Sequence, residues 1–127
     1  MMSANQPTKT RVDYSKFLGV WINTYTETKG ITQFRFYEQE GQLMVEAQGA
    51  EGGVCPGDWG SVPAYAYAYK PHMTEAYAFR VDFKMESGNA LLAMNENKGL
   101  IVIAGYWSYN QDSDQSDHLI REFYYKD

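Results

Sequence analysis

The chain has 127 residues and a net charge of −5, with hydrophobic residues at 44%, aromatics at 16% and charged residues at 21%. That length suits one domain with a core of its own, and the composition is too apolar for wholesale disorder. The acidic balance excludes a general affinity for nucleic acid or an anionic membrane, both of which need clustered Lys and Arg, and the single Cys55 excludes an internal disulfide.

In chain order, residues 1–12 are polar, carry Pro7 and show no periodicity. They read as a flexible N-terminal tail ahead of one barrel domain at 13–127. The tail has no apolar run of signal-peptide length, and no segment approaches the roughly 18 apolar residues of a membrane helix. With one cysteine, the expected location is cytoplasmic. "DYSKFLG" then predicts a short helical turn, with Asp13 or Ser15 as its cap.

From there to the C-terminus, segments of period two alternate with turn signals. The predicted strands are 20–25, "ITQFRFYE" from Ile31, "LMVEAQG" from Leu43, "AYAYAY" at 64–69, "EAYAFRVDFK" from Glu75, "NALLAMN" from Asn89, "LIVIAGYWSY" from Leu100 and "HLIREFYYK" from His118. Between the third and fourth lies one long irregular stretch, "AEGGVCPGDWGSVP". Short connections make sequential strands antiparallel neighbours. The expected fold is therefore all-β: an eight-stranded antiparallel up-and-down barrel, with a two-sheet sandwich as the alternative.

The inner wall follows from where the charges stand. In the fifth strand Arg80, Asp82 and Lys84 share one face, which turns Tyr77, Phe79, Val81 and Phe83 inward. In "AYAYAY" the nearest charge is Lys70, which has the parity of the alanines. Placing Lys70 in solvent turns Tyr65, Tyr67 and Tyr69 inward. Phe34, Phe36 and Val45 join that wall. An eight-stranded barrel is either filled by such side chains or holds one small ligand.

"FLGVW", Phe17 to Trp21, resembles the opening motif of the lipocalin and calycin group, where a short helical turn leads into Gly-x-Trp at the first strand. The resemblance implies that Trp21 plugs the closed end of a barrel. It also implies a basic partner from the last strand, a position occupied by Arg121 in "LIREF". The wider pattern "WINT…GI…F…DWG…VP…Y…GLI…REF" resembles small uncharacterised bacterial calycin-like proteins over most of 17–125, and implies a fold without an activity. The chain is shorter than a typical lipocalin. It lacks the C-terminal helix and disulfide of secreted members and the two-helix lid of fatty-acid-binding proteins.

The chemistry-bearing residues are few. Cys55 precedes Pro56, and activating it needs a nearby cation or helix N-terminus; His72 and His118 are distant in sequence. Asp112, Asp114 and Asp117 alternate as in a calcium loop, but the glycine and terminal glutamate of such a loop are missing. No spacing suits zinc or a phosphate loop. No catalytic residue, metal or cofactor is therefore expected. The expected function is non-catalytic binding of a small aromatic or apolar organic ligand inside the barrel, by Phe36, Tyr65, Tyr67, Tyr69, Tyr77, Phe79 and Trp107. Trp59 would stand at the rim. The alternative is a filled barrel acting as a protein-interaction module or homodimer, with Ala64, Ala66 and Ala68 outward. A third reading is an enzyme using Cys55 or a histidine with a carboxylate.

Overall fold

The apolar–polar alternation between Gly19 and Lys126 resolves into eight strands: β1 (Gly19–Asn23), β2 (Ile31–Gln39), β3 (Gln42–Gly49), β4 (Gly57–Ala68), β5 (Ala76–Met85), β6 (Gly88–Asn97), β7 (Leu100–Tyr109) and β8 (His118–Lys126). Each pairs antiparallel with the next, and β1 pairs with β8, so the sheet closes into a barrel. The structure is a computed structural model that describes residues 11–127. The expected tail before residue 11 lies outside the described residues, whereas Val12 packs on the core and Arg11 donates to the Gly41 carbonyl at 2.9 Å.

Local chemistry accounts for the tight turns. Glu40–Gly41 and Lys98–Gly99 each place two successive residues at positive φ, the geometry that matches the twist of two-residue hairpins. The expected helical turn is a 3-10 turn at Ser15–Phe17. The N-cap is Tyr14; Asp13, one residue ahead of it, accepts the Ser15 amide at 2.9 Å in an Asx-type turn.

Inside, aromatic rings meet across the axis. Ring centroids lie 4.7 Å apart for Phe36–Phe79, 5.0 Å for Phe17–Phe79, 5.2 Å for Phe34–Tyr124 and 5.1 Å for Trp59–Trp107. A void of about 10 Å³ beside Leu92, Ile103, Trp107 and Tyr124 has room for one water at most. The barrel is filled by its own side chains.

Three register shifts break the alternation, and the first leaves Thr32 of β2 as an extra residue between the Ile31–Gly49 and Gln33–Gln48 pairs. In β4, Gln48 pairs with Asp58 and Glu46 with Ser61, so Trp59 and Gly60 together oppose Ala47. Gly60 takes φ 77°, which a residue with a Cβ resists. The stretch expected to be irregular up to Pro63 is thus strand from Gly57 onward. In β5, Ala76 pairs with Ala68 and Ala78 with Tyr67, leaving Tyr77 as the extra residue.

The closed end is sealed differently from the expectation. Trp21 is buried, stacks on Phe17 and donates its Nε1–H to the Phe17 carbonyl at 2.9 Å. Its partner in the β1–β8 ladder is Lys126, whose ammonium donates to the Lys16 carbonyl at 2.9 Å. Arg121 does not serve this end. It is exposed, pairs with Ala104 and lies over the Phe123 ring at 4.9 Å. Alternation explains the substitution: Tyr124 and Lys126 share the inner face of β8, while Arg121 shares the outer face with Phe123.

Near the opposite end a polar cluster ties the β1–β2 loop to β8. The Glu122 carboxylate accepts from Thr28 Oγ1 at 2.6 Å and Asn23 Nδ2 at 3.1 Å, and the Tyr124 hydroxyl donates to the Ile31 carbonyl at 2.8 Å. Burial pushes the Tyr124 phenol far above its ordinary range, so it stays a donor.

Candidate functional site

The orientation of "AYAYAY" decides where a ligand has room. Ala64 pairs with the buried Val81 and Tyr65 with the exposed Arg80, so the alanines face inward and the tyrosines outward. Tyr65, Tyr67 and Tyr69 are 47%, 46% and 61% exposed, which corrects the expected inward placement. The expectation relied on Lys70, which lies past the end of β4, where strand parity no longer carries over.

Small side chains on an inward face leave volume behind. They coincide with a mismatch in strand length: the β2–β3 hairpin turns at Glu40–Gly41, and the β3–β4 ladder stops at Met44–Pro63. Ala64 to Ala68 pair with β5 alone. Beside this overhang is an open groove of about 720 Å³. Ala64, Ala66, Leu43 and Val12 line it with apolar surface, together with Tyr14, the three β4 tyrosines and Met73.

The rim is held in place by cations and hydrogen bonds. The Arg80 guanidinium sits 5.0 Å from the Tyr65 ring centre, and its Nε donates to the Tyr67 hydroxyl at 3.3 Å. Tyr69 packs edge-on to Tyr77 at 4.9 Å, with the Lys70 ammonium 5.8 Å from its ring. On the far wall the Tyr14 hydroxyl donates to Glu38; burial and that carboxylate both raise the Tyr14 phenol pKa. Backbone bonds from Asp13 to Thr74 (2.6 Å) and from Ala76 to Asp13 (2.8 Å) fix the N-terminal wall. The charged side chains lining the groove are Arg11 and Lys70, both cationic in a chain of net charge −5.

The remaining expected site residues are dispersed. Phe36 and Phe79 are sealed in the core. Tyr77, displaced by its bulge, is half-buried outside the core cluster and touches the groove only through Tyr69. Trp107 does face inward, but at the other end of the barrel, where Trp59 covers it edge-on and also meets Phe83 at 5.2 Å. The β4 bulge turns Trp59 inward although it has the parity of the outward Tyr65, and its Nε1–H is anchored on the Cys55 carbonyl at 2.8 Å.

That end carries a smaller open cleft of about 510 Å³ beside Cys55, Met85 and Tyr109. The Cys55 sulfur meets Met85 Sδ at 3.4 Å, and burial pushes the thiol pKa up, opposite to what a nucleophile needs. His118 stacks on Trp107 and Tyr109, and His72 is exposed on the β4–β5 loop. Asp117 accepts the Tyr109 amide at 2.9 Å within the β7–β8 turn. Among the described residues no group of three or more His, Cys, Asp or Glu is arranged to hold a metal ion.

The decisive feature for recognition is therefore the alanine-floored groove, and comparison with known proteins adds no assignment to it. Neither protein-family models, nor curated proteins, nor solved structures match this chain. Arg11, Tyr14, Gln42, Leu43 and Met73 were not singled out by sequence reasoning. No local signal marked them, because the groove arises where β4 extends beyond its pairing with β3. Among the described residues no helix is long and apolar enough to cross a membrane.

Proposed function

We propose that the chain is a calycin-type barrel that binds a small aromatic or apolar organic ligand without catalysis, in the groove beside β4 and not along the barrel axis. The observation that carries this reading is the inward face of Ala64, Ala66 and Ala68 at the point where β4 outruns β3. The resulting volume of about 720 Å³ falls within the ~300–1,000 Å³ of ordinary ligand sites. The rim tyrosines are already oriented by Arg80 and Lys70, so a flat ligand can stack with little ordering cost. Arg11 and Lys70 favour a ligand with an anionic group at one end. The lone cysteine supports a reducing compartment such as the cytoplasm.

The test is an NMR titration of the isotopically labelled full chain with 1-naphthoate, an aromatic carboxylate. The amides of Leu43 and Tyr65 to Lys70 should shift, and Ala66→Leu, which fills the floor, should abolish those shifts while leaving the remaining spectrum intact. Shifts centred on Trp59 and Trp107, or titration without localised shifts, would refute the groove as the site.

A further inference from the structure

The outer surface of β5–β8 presents apolar side chains that nothing in the described chain covers. The ladders align Asp82, Leu91, Tyr106 and Leu119 in one row across the four strands. Leu91, Tyr106 and Leu119 are 39%, 51% and 54% exposed. Two residues away on every strand, the same ladders align Arg80, Ala93, Ala104 and Arg121. The rows lie on one face, about 7 Å apart. One row is large with an acid at its β5 end, and its neighbour sets two alanines between Arg80 and Arg121.

We propose that this face is an isologous homodimer interface whose two-fold axis runs across the strands, midway between the two rows. Such an axis keeps each strand facing its own copy and exchanges the rows. Tyr106 then covers the partner's Ala104, Leu91 covers the partner's Ala93, and Asp82 meets the partner's Arg80. Leu119 lies along the aliphatic stem of the partner's Arg121. On β6 and β7 bulk meets alanine, and on β5 acid meets base, as a self-complementary surface requires. An axis parallel to the strands would instead press Leu91 on the partner's Tyr106 and Arg80 on the partner's Arg121, setting large against large and like charge against like.

The row-exchanging arrangement keeps the two sheets aligned, the common mode of sheet-on-sheet packing. Asp82 is available, because its ion pair with Lys84, at 3.5 Å, is solvent-exposed and weak. Four strands about 4.8 Å apart, over two rows about 7 Å apart, cover on the order of 300 Å² per copy, below the ~800 Å² of a standard interface, so the dimer is weak and reversible. None of these eight residues lines the groove beside β4, although Arg80 also holds the rim tyrosines Tyr65 and Tyr67 from behind, so association is measured on the chain without added ligand.

Sedimentation equilibrium of the full chain from about 10 μM to about 1 mM should show the average mass rising from 14.5 kDa toward twice that value. Tyr106→Glu and Leu119→Lys, each checked for an unchanged circular dichroism spectrum, should weaken association about tenfold or more. Asp82→Arg and Arg80→Asp should each weaken it singly, and the double variant should restore it. A mass of 14.5 kDa at every concentration overturns the interface. Association unaffected by Tyr106→Glu and Leu119→Lys does the same, and failure of the charge-swapped double variant to recover overturns the axis.

Discussion

β4 and β5 lie side by side, share a register and use the same alternation to opposite ends. In β5 the large residues Phe79, Val81 and Phe83 fill the axis, while Arg80, Asp82 and Lys84 face water. In β4 the small residues Ala64, Ala66 and Ala68 look inward, and the tyrosines spread over the outside. A period of two identifies a strand but not its buried side. The side is set by the neighbour: Val81 is buried, so its ladder partner Ala64 is buried, and the exposed Arg80 carries Tyr65 outward with it. The consequence is local. Where β5 supplies bulk the barrel is solid, and where β4 supplies alanine it opens into a groove.

Truncating one ring from each strand separates the two roles. Phe79 touches Phe17 and Phe36 in the core, so Phe79→Ala should cost about 3–5 kcal/mol in urea unfolding. Tyr67→Ala, on the exposed face, should cost less than about 1 kcal/mol. Equal losses would mean that the β4 tyrosines belong to the core after all.

Enlarging the alanines sharpens the same contrast at lower energy. Ala64 is 2% exposed and surrounded, so Ala64→Leu should destabilise by about 1–3 kcal/mol through overpacking. Ala66 borders the groove, and Ala66→Leu should change stability by less than about 1 kcal/mol because the added carbons enter open space. A graded result, large at Ala64 and small at Ala66, locates the boundary between solid barrel and groove.

The architecture was legible because clear turns separate the strands, and the boundaries of β7 and β8 are those the pattern indicated. The site was less legible, and at Trp59 and Tyr77 the reason is a bulge. A bulge adds one residue and reverses parity, and its only local signature at Trp59–Gly60 is a glycine among several. At Tyr77 there is no signature, since "EAYAF" reads as plain alternation. Nothing local reveals that β3 ends before β4 does, which is a property of pairing register. Trp21 was readable from its motif. Its last-strand partner was not, because Arg121 and Lys126 differ only in which face of β8 they occupy.

That last pair allows a test at the closed end. Lys126→Met removes the donor to the Lys16 carbonyl and should lower stability by about 0.5–1.5 kcal/mol. Arg121→Met leaves the Trp21 seal untouched and should fall within about 0.5 kcal/mol of the parent in the same urea titration. The reverse order would restore Arg121 as the closing residue.

The smallest expected effect concerns the N-terminal wall of the groove. Asp13 is fully exposed, and its carboxyl pKa is lowered first by the hydrogen bond from the Ser15 amide and then by the Ser15 hydroxyl. A carboxyl whose pKa is depressed by folding stabilises the fold above its unfolded pKa and loses that contribution as pH falls through the folded value. Between neutral pH and about pH 4 the turn should therefore persist, and below that range it should release as Asp13 protonates. The Ser15 amide resonance, followed by NMR on acidification, should move with an apparent pKa below that of an unperturbed aspartate. In Asp13→Asn that titration should vanish. A Ser15 amide that moves at the ordinary aspartate pKa would mean that the turn, and with it this edge of the groove, is not held by the carboxylate.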